Sequence, residues 1–456
     1  MNPLRACLWM LLLVLGSGCG KKQNGHARKV PMDAAAYWVW HRSSSLTDAE
    51  LQSLREAGVK RLYWQAFETG WDGKGWKSNR ISSPQKAYEG LEVIPVFRLK
   101  PESAFLGSPD APVLLARQVR LWLEGKVEPA EIQIDFDCPD RLLGNYAEFL
   151  TKLGVEVSPV KVSITALASW PGRVDFEKLA RSVVSLAPMF YDLDADAPAD
   201  VMKGRYRAMA DSSDAKWIQA WSSCPRKWVA GLANFERVSF FDENGGLIGH
   251  ARGWTHDALF FRRGLRVETP GKGVTVFHAD QAITVAGTRI PAGGRVVHRM
   301  PEMSSLRTLV NAADRAEASH VVYFALPGPG IEGAYTPGHL AQAEAPLRMI
   351  AEVDAEGCVR LENQGPADIP AGIWELELES GNAASFRSAS PGEFAETFIE
   401  DALPAEHAGR IRLRFSKLPA GHSLRSGRLV AQAAEVRWKV RGLTEMSSMI
   451  PADSSR

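Results

Sequence analysis

The amino-acid sequence predicts an α/β protein, a (β/α)8 TIM-like barrel followed by an all-β, sandwich-like module. Three observations carry this prediction. From residue 36 onward, apolar runs of strand length alternate with amphipathic stretches, the pattern of βα units around a parallel sheet. Eight such runs precede residue 327, and eight strands with helices between them fit a barrel better than an open sheet. After about residue 351 the helical pattern stops and period-2 alternation replaces it.

The expected barrel strands are Ala36–Arg42, Arg61–Glu68, Glu92–Lys100, Glu131–Cys138, Val160–Leu167, Val183–Asp192, Lys216–Ser222 and His320–Leu326. The first helix, Thr47–Ala57, opens on Thr47-Asp-Ala-Glu50, a capping box. The second, Pro112–Leu123, has proline in its first turn. Pro139–Leu153, Asp175–Ser182, Pro198–Ala210 and Pro337–Ile350 complete the helices. Two interruptions stand out. Residues 71–90 form a long loop after the second strand. Residues 236–300 form a β-rich insertion after the seventh, with Asn244-Gly245 as a hairpin turn. In a barrel, the loops that follow strands build the active face, so the insertion is expected to wall one side of a cleft. The barrel should span 34–350. The C-terminal module should span 351–443, with strands Cys358–Asn363, Ile373–Glu379, Arg410–Ser416 and Ala434–Val440, and a polar tail at 444–456.

Bulk properties are those of an ordinary folded chain, with 45% hydrophobic and 23% charged residues. A formal charge of +1 supplies no basic field for nucleic acid. Fourteen tryptophans are mostly core material, but flat indoles also make stacking surfaces. Arg5, the apolar run Leu8–Leu15 and the small residues Gly16-Ser-Gly18 form a secretory signal over 1–18, too short for a permanent span. Its ending resembles a bacterial lipoprotein signal, which implies lipidation at Cys19, although Leu15 sits one place early. Residues 20–33 are too polar to pack and serve as a tether in 19–33. The chain is therefore expected to be exported and lipid-anchored to the cell envelope, at the outer membrane or periplasmic face. Of the remaining cysteines Cys138, Cys224 and Cys358, the first two are the candidate disulfide.

Chemistry concentrates in Ile132-Gln-Ile-Asp-Phe-Asp137. Side chains alternate along a strand. Ile132, Ile134 and Phe136 should therefore pack under the helices, while Gln133, Asp135 and Asp137 point into the barrel. Carboxylates there are costly unless paired, hydrogen-bonded or used. Residues i and i+2 lie about 7 Å apart, so the charges interact and their pKa values separate. Asp135 and Asp137 are the candidate catalytic pair. Glu68, Trp64, Arg98, Thr165, Trp170, Tyr191 and Asp192 lie at or just beyond strand ends and are the candidate substrate contacts. Arg98 could instead simply neutralise Asp135.

The stretch Ile132-Gln-Ile-Asp-Phe-Asp-Cys-Pro139, with Tyr146 and Val162-Ser-Ile-Thr-Ala-Leu-Ala-Ser-Trp170, resembles the bacterial domain of unknown function 3142. Phe240-Phe-Asp-Glu-Asn-Gly-Gly-Leu and Arg360-Leu-Glu-Asn-Gln-Gly365 extend the resemblance over roughly residues 36–380. It implies an exported barrel and no particular reaction. More distantly, Asp135-Phe-Asp137 and Met189-Phe-Tyr-Asp192 are similar to motifs of glycoside hydrolase family eighteen, the chitinase-like barrels. That similarity implies contact between Tyr191 and a sugar N-acetyl group. Pro139 stands where that family carries its catalytic glutamate, so Asp137 would have to serve as the acid.

Other motifs fail. Gly328-Pro-Gly-Ile-Glu-Gly333 matches a dinucleotide fingerprint only formally, without an early βαβ unit. Asp192-Leu-Asp-Ala-Asp196 begins like a calcium loop, but Ala197 and Lys203 replace the required glycine and glutamate; an irregular cation site is the remaining reading. No cofactor is expected, and no Cys/His spacing points to a metal. Two functions remain. One is a glycoside-hydrolase-like enzyme acting on extracellular or cell-envelope polysaccharide. The other is a non-catalytic surface lipoprotein binding glycan or a protein partner through the barrel mouth.

Overall fold

The computed structural model describes residues 35–80, 87–328, 331–342, 344, 346–380, 386, 390–400, 409–429 and 436–443. The expected signal, Cys19, tether and tail lie outside these residues. Eight parallel strands close a barrel: β1 (Ala36–Val39), β2 (Arg61–Trp71), β3 (Glu92–Leu99), β4 (Glu131–Asp135), β5 (Lys161–Leu167), β6 (Ser185–Met189), β7 (Ala230–Ala233) and β8 (Val321–Phe324). Each pairs with the next, and β8 pairs back onto β1. Helices Asp48–Glu56, Ala111–Leu123, Leu143–Glu156, Phe176–Arg181, Ala215–Ala220 and Met303–Arg315 lie between strands. The capping box at Thr47 forms: its hydroxyl accepts from the Glu50 N–H, and the Glu50 carboxylate accepts from the Thr47 N–H.

Strand parity sets what each face carries. Ile132, Ile134 and Phe136 join the large core between strands and helices. Gln133 faces the interior, where its side-chain oxygen accepts from the Trp38 indole at 2.8 Å. Fully burying such apolar side chains is worth about 2 kcal/mol each. A one-residue slip would turn all three into the barrel and the acids under the helices. Packing thus fixes where Asp135 and Asp137 point. Inside the barrel, Trp38, Trp40, Tyr63, Ile94, Val96 and Val322 form a second cluster.

Several elements differ from expectation. Lys216–Ser222 is not the seventh strand; it is the helix Ala215–Ala220 and a short 3-10 turn, Trp221–Ser223. The seventh strand is Ala230–Ala233, with a glycine at 231 because Trp38 fills the space a side chain there would take. A Cβ on Gly231 would lie 2.9 Å from the Trp38 ring and 2.8 Å from the Pro188 carbonyl oxygen. The helices expected over Pro198–Ala210 and Pro337–Ile350 shorten to Pro198–Val201 and Pro337–Ala341. Met303–Arg315 is an unanticipated helix. Within the expected loop 71–90, Trp76–Arg80 folds back antiparallel onto β2. Cys138, Cys224 and Cys358 are free thiols, so the candidate disulfide does not form.

After β7 the chain builds a five-stranded antiparallel sheet from Arg237–Phe241, Leu247–His250, Leu265–Gly271, Val274–Ala279 and Arg295–Arg299. Its first hairpin turns at Asn244-Gly245, where Gly245 has φ +81 and Asp242 accepts from the Asn244 and Gly246 amides. Beyond the barrel, Met349–Val353, Cys358–Asn363 and Ser423–Arg428 form one antiparallel sheet. Trp374–Ser380, Glu396–Glu400, Gly409–Phe415 and Val436–Gly442 form another. The two share an apolar core that includes Leu361, Leu376 and Leu413. Among the described residues, no helix is long and apolar enough to cross a membrane.

Candidate active site at the barrel mouth

The C-terminal ends of the strands open on a cavity of about 680 Å³. Its polar wall holds Glu68 from β2, Arg98 from β3, Asp135 from β4 with Asp137 just beyond, and Thr165 from β5. Its apolar wall is aromatic: Trp38, Trp40, Tyr191, Trp217, Phe235 and Phe324. Tyr191 stacks on Phe324 with ring centroids 5.7 Å apart, and Phe235 meets both rings edge-on.

Asp135 and Asp137 sit two residues apart in different environments. Asp135 is 3% exposed. Arg98 Nη1 donates to its Oδ2 at 2.5 Å, and the Thr165 hydroxyl donates to its Oδ1 at 2.7 Å. Asp137 is 45% exposed and meets Arg98 only at 3.7 Å. Burial and the neighbouring Asp135 push its carboxyl above the ordinary range, and Arg98 opposes them. An exposed carboxyl with raised proton affinity beside an engaged carboxylate is the arrangement an acid catalyst needs. The phenol of Tyr191 is held well above its usual pKa by burial and by both aspartates, so it remains a hydrogen-bond donor.

The candidate contacts divide. Glu68, Arg98, Thr165, Tyr191 and Asp192 all reach the cavity; Trp64 and Trp170 do not. Trp64 lies in the core between strands and helices, stacked on Tyr88. A register shift between Gln65 and Phe67 is a bulge. It breaks strict alternation beyond Gln65: Trp64 packs outward with Leu62, while Glu68, of the same parity, turns to the mouth. Trp170 folds back into the same outer core, fully buried. The aromatic residues Trp38, Trp40, Trp217, Phe235 and Phe324 and the cation Arg237 were missed. Trp38 and Trp40 were readable, since they share a face with Ala36 on β1.

The Asp192–Asp196 stretch carries no cation site. Asp192 pairs with Arg237, Asp194 with Arg207 at 2.6 Å, and Asp196 with Arg299. Each acid already has its own guanidinium. Among the described residues, the group whose donors could converge on a metal lies elsewhere, at Glu236, His256 and His298.

Fold and site together define a (β/α)8 barrel with an acidic, aromatic-walled mouth. Residues 89–236, from just before β3 to just past β7, match the family model described as Domain of unknown function (DUF3142). That is a shorter stretch than the resemblance in the sequence implied. No curated protein matches the chain. Among solved structures, the spore cortex-lytic enzyme SleL of Bacillus cereus is similar at 13% identity and TM-score 0.44, over 67% of this chain and 72% of that one. The chitinase ChiA74 of Bacillus thuringiensis is similar at 9% and 0.44, over 89% and 100%. The GH18 chitinase ChiB of Flavobacterium johnsoniae is similar at 10% and 0.39, over 64% and 87%. These likenesses are distant.

Proposed function

We propose that the barrel mouth is a glycoside-hydrolase-like site acting on extracellular or cell-envelope polysaccharide. The observation that carries this reading is the unequal treatment of Asp135 and Asp137 in a cavity that Glu68 also lines. Asp137 is the general acid, protonating the glycosidic oxygen. Asp135, fixed by Arg98 and Thr165, is its electrostatic partner. Glu68 supplies a further carboxylate for the other face of the bond. Tyr191, Phe324 and the neighbouring rings give the flat apolar surface on which sugar rings stack. Pro139 cannot donate a proton, and on this reading Asp137, the exposed carboxyl with raised proton affinity, does. The test is release of reducing ends from a panel of envelope polysaccharides, peptidoglycan sacculi and N-acetylated glycans among them. Wild-type release that is lost in Asp137→Asn supports the assignment; equal rates refute it.

One observation favours the second reading, a non-catalytic binder of glycan or a protein partner. Arg98 reaches both aspartates, which is how a purely structural acid pair is neutralised. Glycan binding without release of reducing sugar, unchanged in Asp137→Asn, would select it. In either case the leader through Cys19 supports an exported, lipid-anchored protein. Labelled fatty acid should enter the wild-type chain and not Cys19→Ser; equal labelling would remove the anchor.

A further inference from the structure

We propose that Glu236, His256 and His298 bind one divalent metal ion of the zinc class, at a site separate from the barrel mouth. The three residues come from different segments. Glu236 follows β7, His256 opens the helix His256–Phe260, and His298 lies in strand Arg295–Arg299. Their donor atoms lie within 4.8 Å of one another. Both imidazole Nε2 atoms point at the same carboxylate oxygen, Glu236 Oε2, at 2.8 Å from His256 and 2.6 Å from His298. Two imidazoles and a carboxylate are the donor set of a zinc-class ion with one position left open.

The surroundings hold the donors in place. Glu236 and His298 are buried, and Trp254 packs edge-on against both imidazoles at 4.9 and 5.5 Å. Phe260 packs on His298 at 5.3 Å. His256 also lines a separate cavity of about 460 Å³, bounded by Tyr335, Thr336 and Lys417. That cavity gives an ion a way in and room for a water as its remaining ligand. Donors around a tetrahedral zinc stand about 3.3 Å apart, so the carboxylate, now 2.8 and 2.6 Å from the two rings, need separate from them by only about 0.5–0.7 Å. Each imidazole then carries its proton on Nδ1 and presents the Nε2 lone pair.

Lys417 is the competing element. Its ammonium donates to Glu236 Oε1 at 2.6 Å and to the Gly333 carbonyl at 2.7 Å. It leaves Oε2 to the histidines but weakens the carboxylate as a ligand. Removing its charge should therefore tighten metal binding, an effect that a merely structural hydrogen-bond network does not produce.

The test uses the full chain, stripped with chelator, reloaded with zinc or cobalt and dialysed. Bound metal is measured by mass spectrometry and cobalt geometry by visible absorption. Expected are one equivalent per chain and a tetrahedral cobalt spectrum. His256→Ala should lower affinity by more than roughly 100-fold, beyond the 10–100-fold of an outer-shell change. Lys417→Met should raise it. His298 is buried, so melting curves accompany every variant, and His256→Ala at the cavity wall decides the matter if His298→Ala does not fold. A wild-type chain that retains no zinc and gives no cobalt spectrum overturns the proposal. So does a folded His256→Ala that binds as well as wild type.

Discussion

Two acidic regions of this molecule lie side by side and are treated differently. In Asp192–Asp196, three aspartates meet three separate arginines: Asp192 with Arg237, Asp194 with Arg207 and Asp196 with Arg299. At the barrel mouth, Glu68, Asp135 and Asp137 all act on a single cation, Arg98. An acid with a dedicated guanidinium has its charge answered and its side chain fixed, because an unmatched carboxylate costs stability. The mouth leaves its acids under-compensated. Burial, together with the neighbouring Asp135, raises the proton affinity of Asp137 against the opposing Arg98. An under-compensated charge cluster in a cleft marks a candidate functional site.

The strongest way to break this comparison is Asp137→Asn. On the proposed function it should lower turnover by roughly 10²–10⁴-fold. Stability should behave oppositely. The folded pKa of Asp137 is raised, so its contribution is fully present below the ordinary carboxylate range and is lost as pH rises through the raised value. Asparagine does not ionise. The variant should therefore melt no lower than wild type at neutral pH. A variant that melts much lower would make Asp137 a structural acid like those of the 192–196 stretch.

Next in size is Arg299→Met. Arg299 is 5% exposed and Asp196 13%. The guanidinium also donates to the Arg207 carbonyl and the Ser239 hydroxyl. Stranding a buried carboxylate in this way should cost about 3 kcal/mol, read from denaturant unfolding, with turnover retained. Arg98→Met should cost less, about 2 kcal/mol, because Arg98 is one-third exposed. It should also shift the pH profile: Arg98 holds the Asp137 carboxyl down, so its loss should move the basic limb of the rate profile upward. A limb that does not move would separate Asp137 from the rate.

Much of the barrel was legible because periodicity is a strong signal. The acid pair was legible because one strand carries both its core face and its chemical face. What escaped depended on contacts remote in sequence. The seventh strand is short, without a β-branched residue, and carries a glycine at 231, where Trp38 occupies the volume a side chain would fill. Lys216–Ser222 imitates a strand, but its apolar positions belong to a helix. The bulge in β2 puts Trp64 and Glu68, of equal parity, on opposite faces, and no local residue type announces it. His256 opens a short helix and His298 lies in a strand at the far end of the insertion, 20 and 62 residues from Glu236, so no compact ligand spacing marks them.

The smallest expected effect sharpens the comparison most cleanly. Arg207 and Asp194 are both about half exposed, and their side chains pair at 2.6 Å. Water screens such a pair, and ordering two mobile side chains offsets most of the attraction. The Arg207 backbone amide bonds Asp196, and its carbonyl accepts from Arg299; neither contact is touched by Arg207→Ala. That variant should therefore change stability by less than about 0.5 kcal/mol, and less still at high salt. Asp194 also lines the barrel-mouth cavity. If Arg207→Ala leaves stability alone yet changes KM for a glycan, Asp194 has been released to the substrate, and the boundary between matched and unmatched acids runs through residue 194.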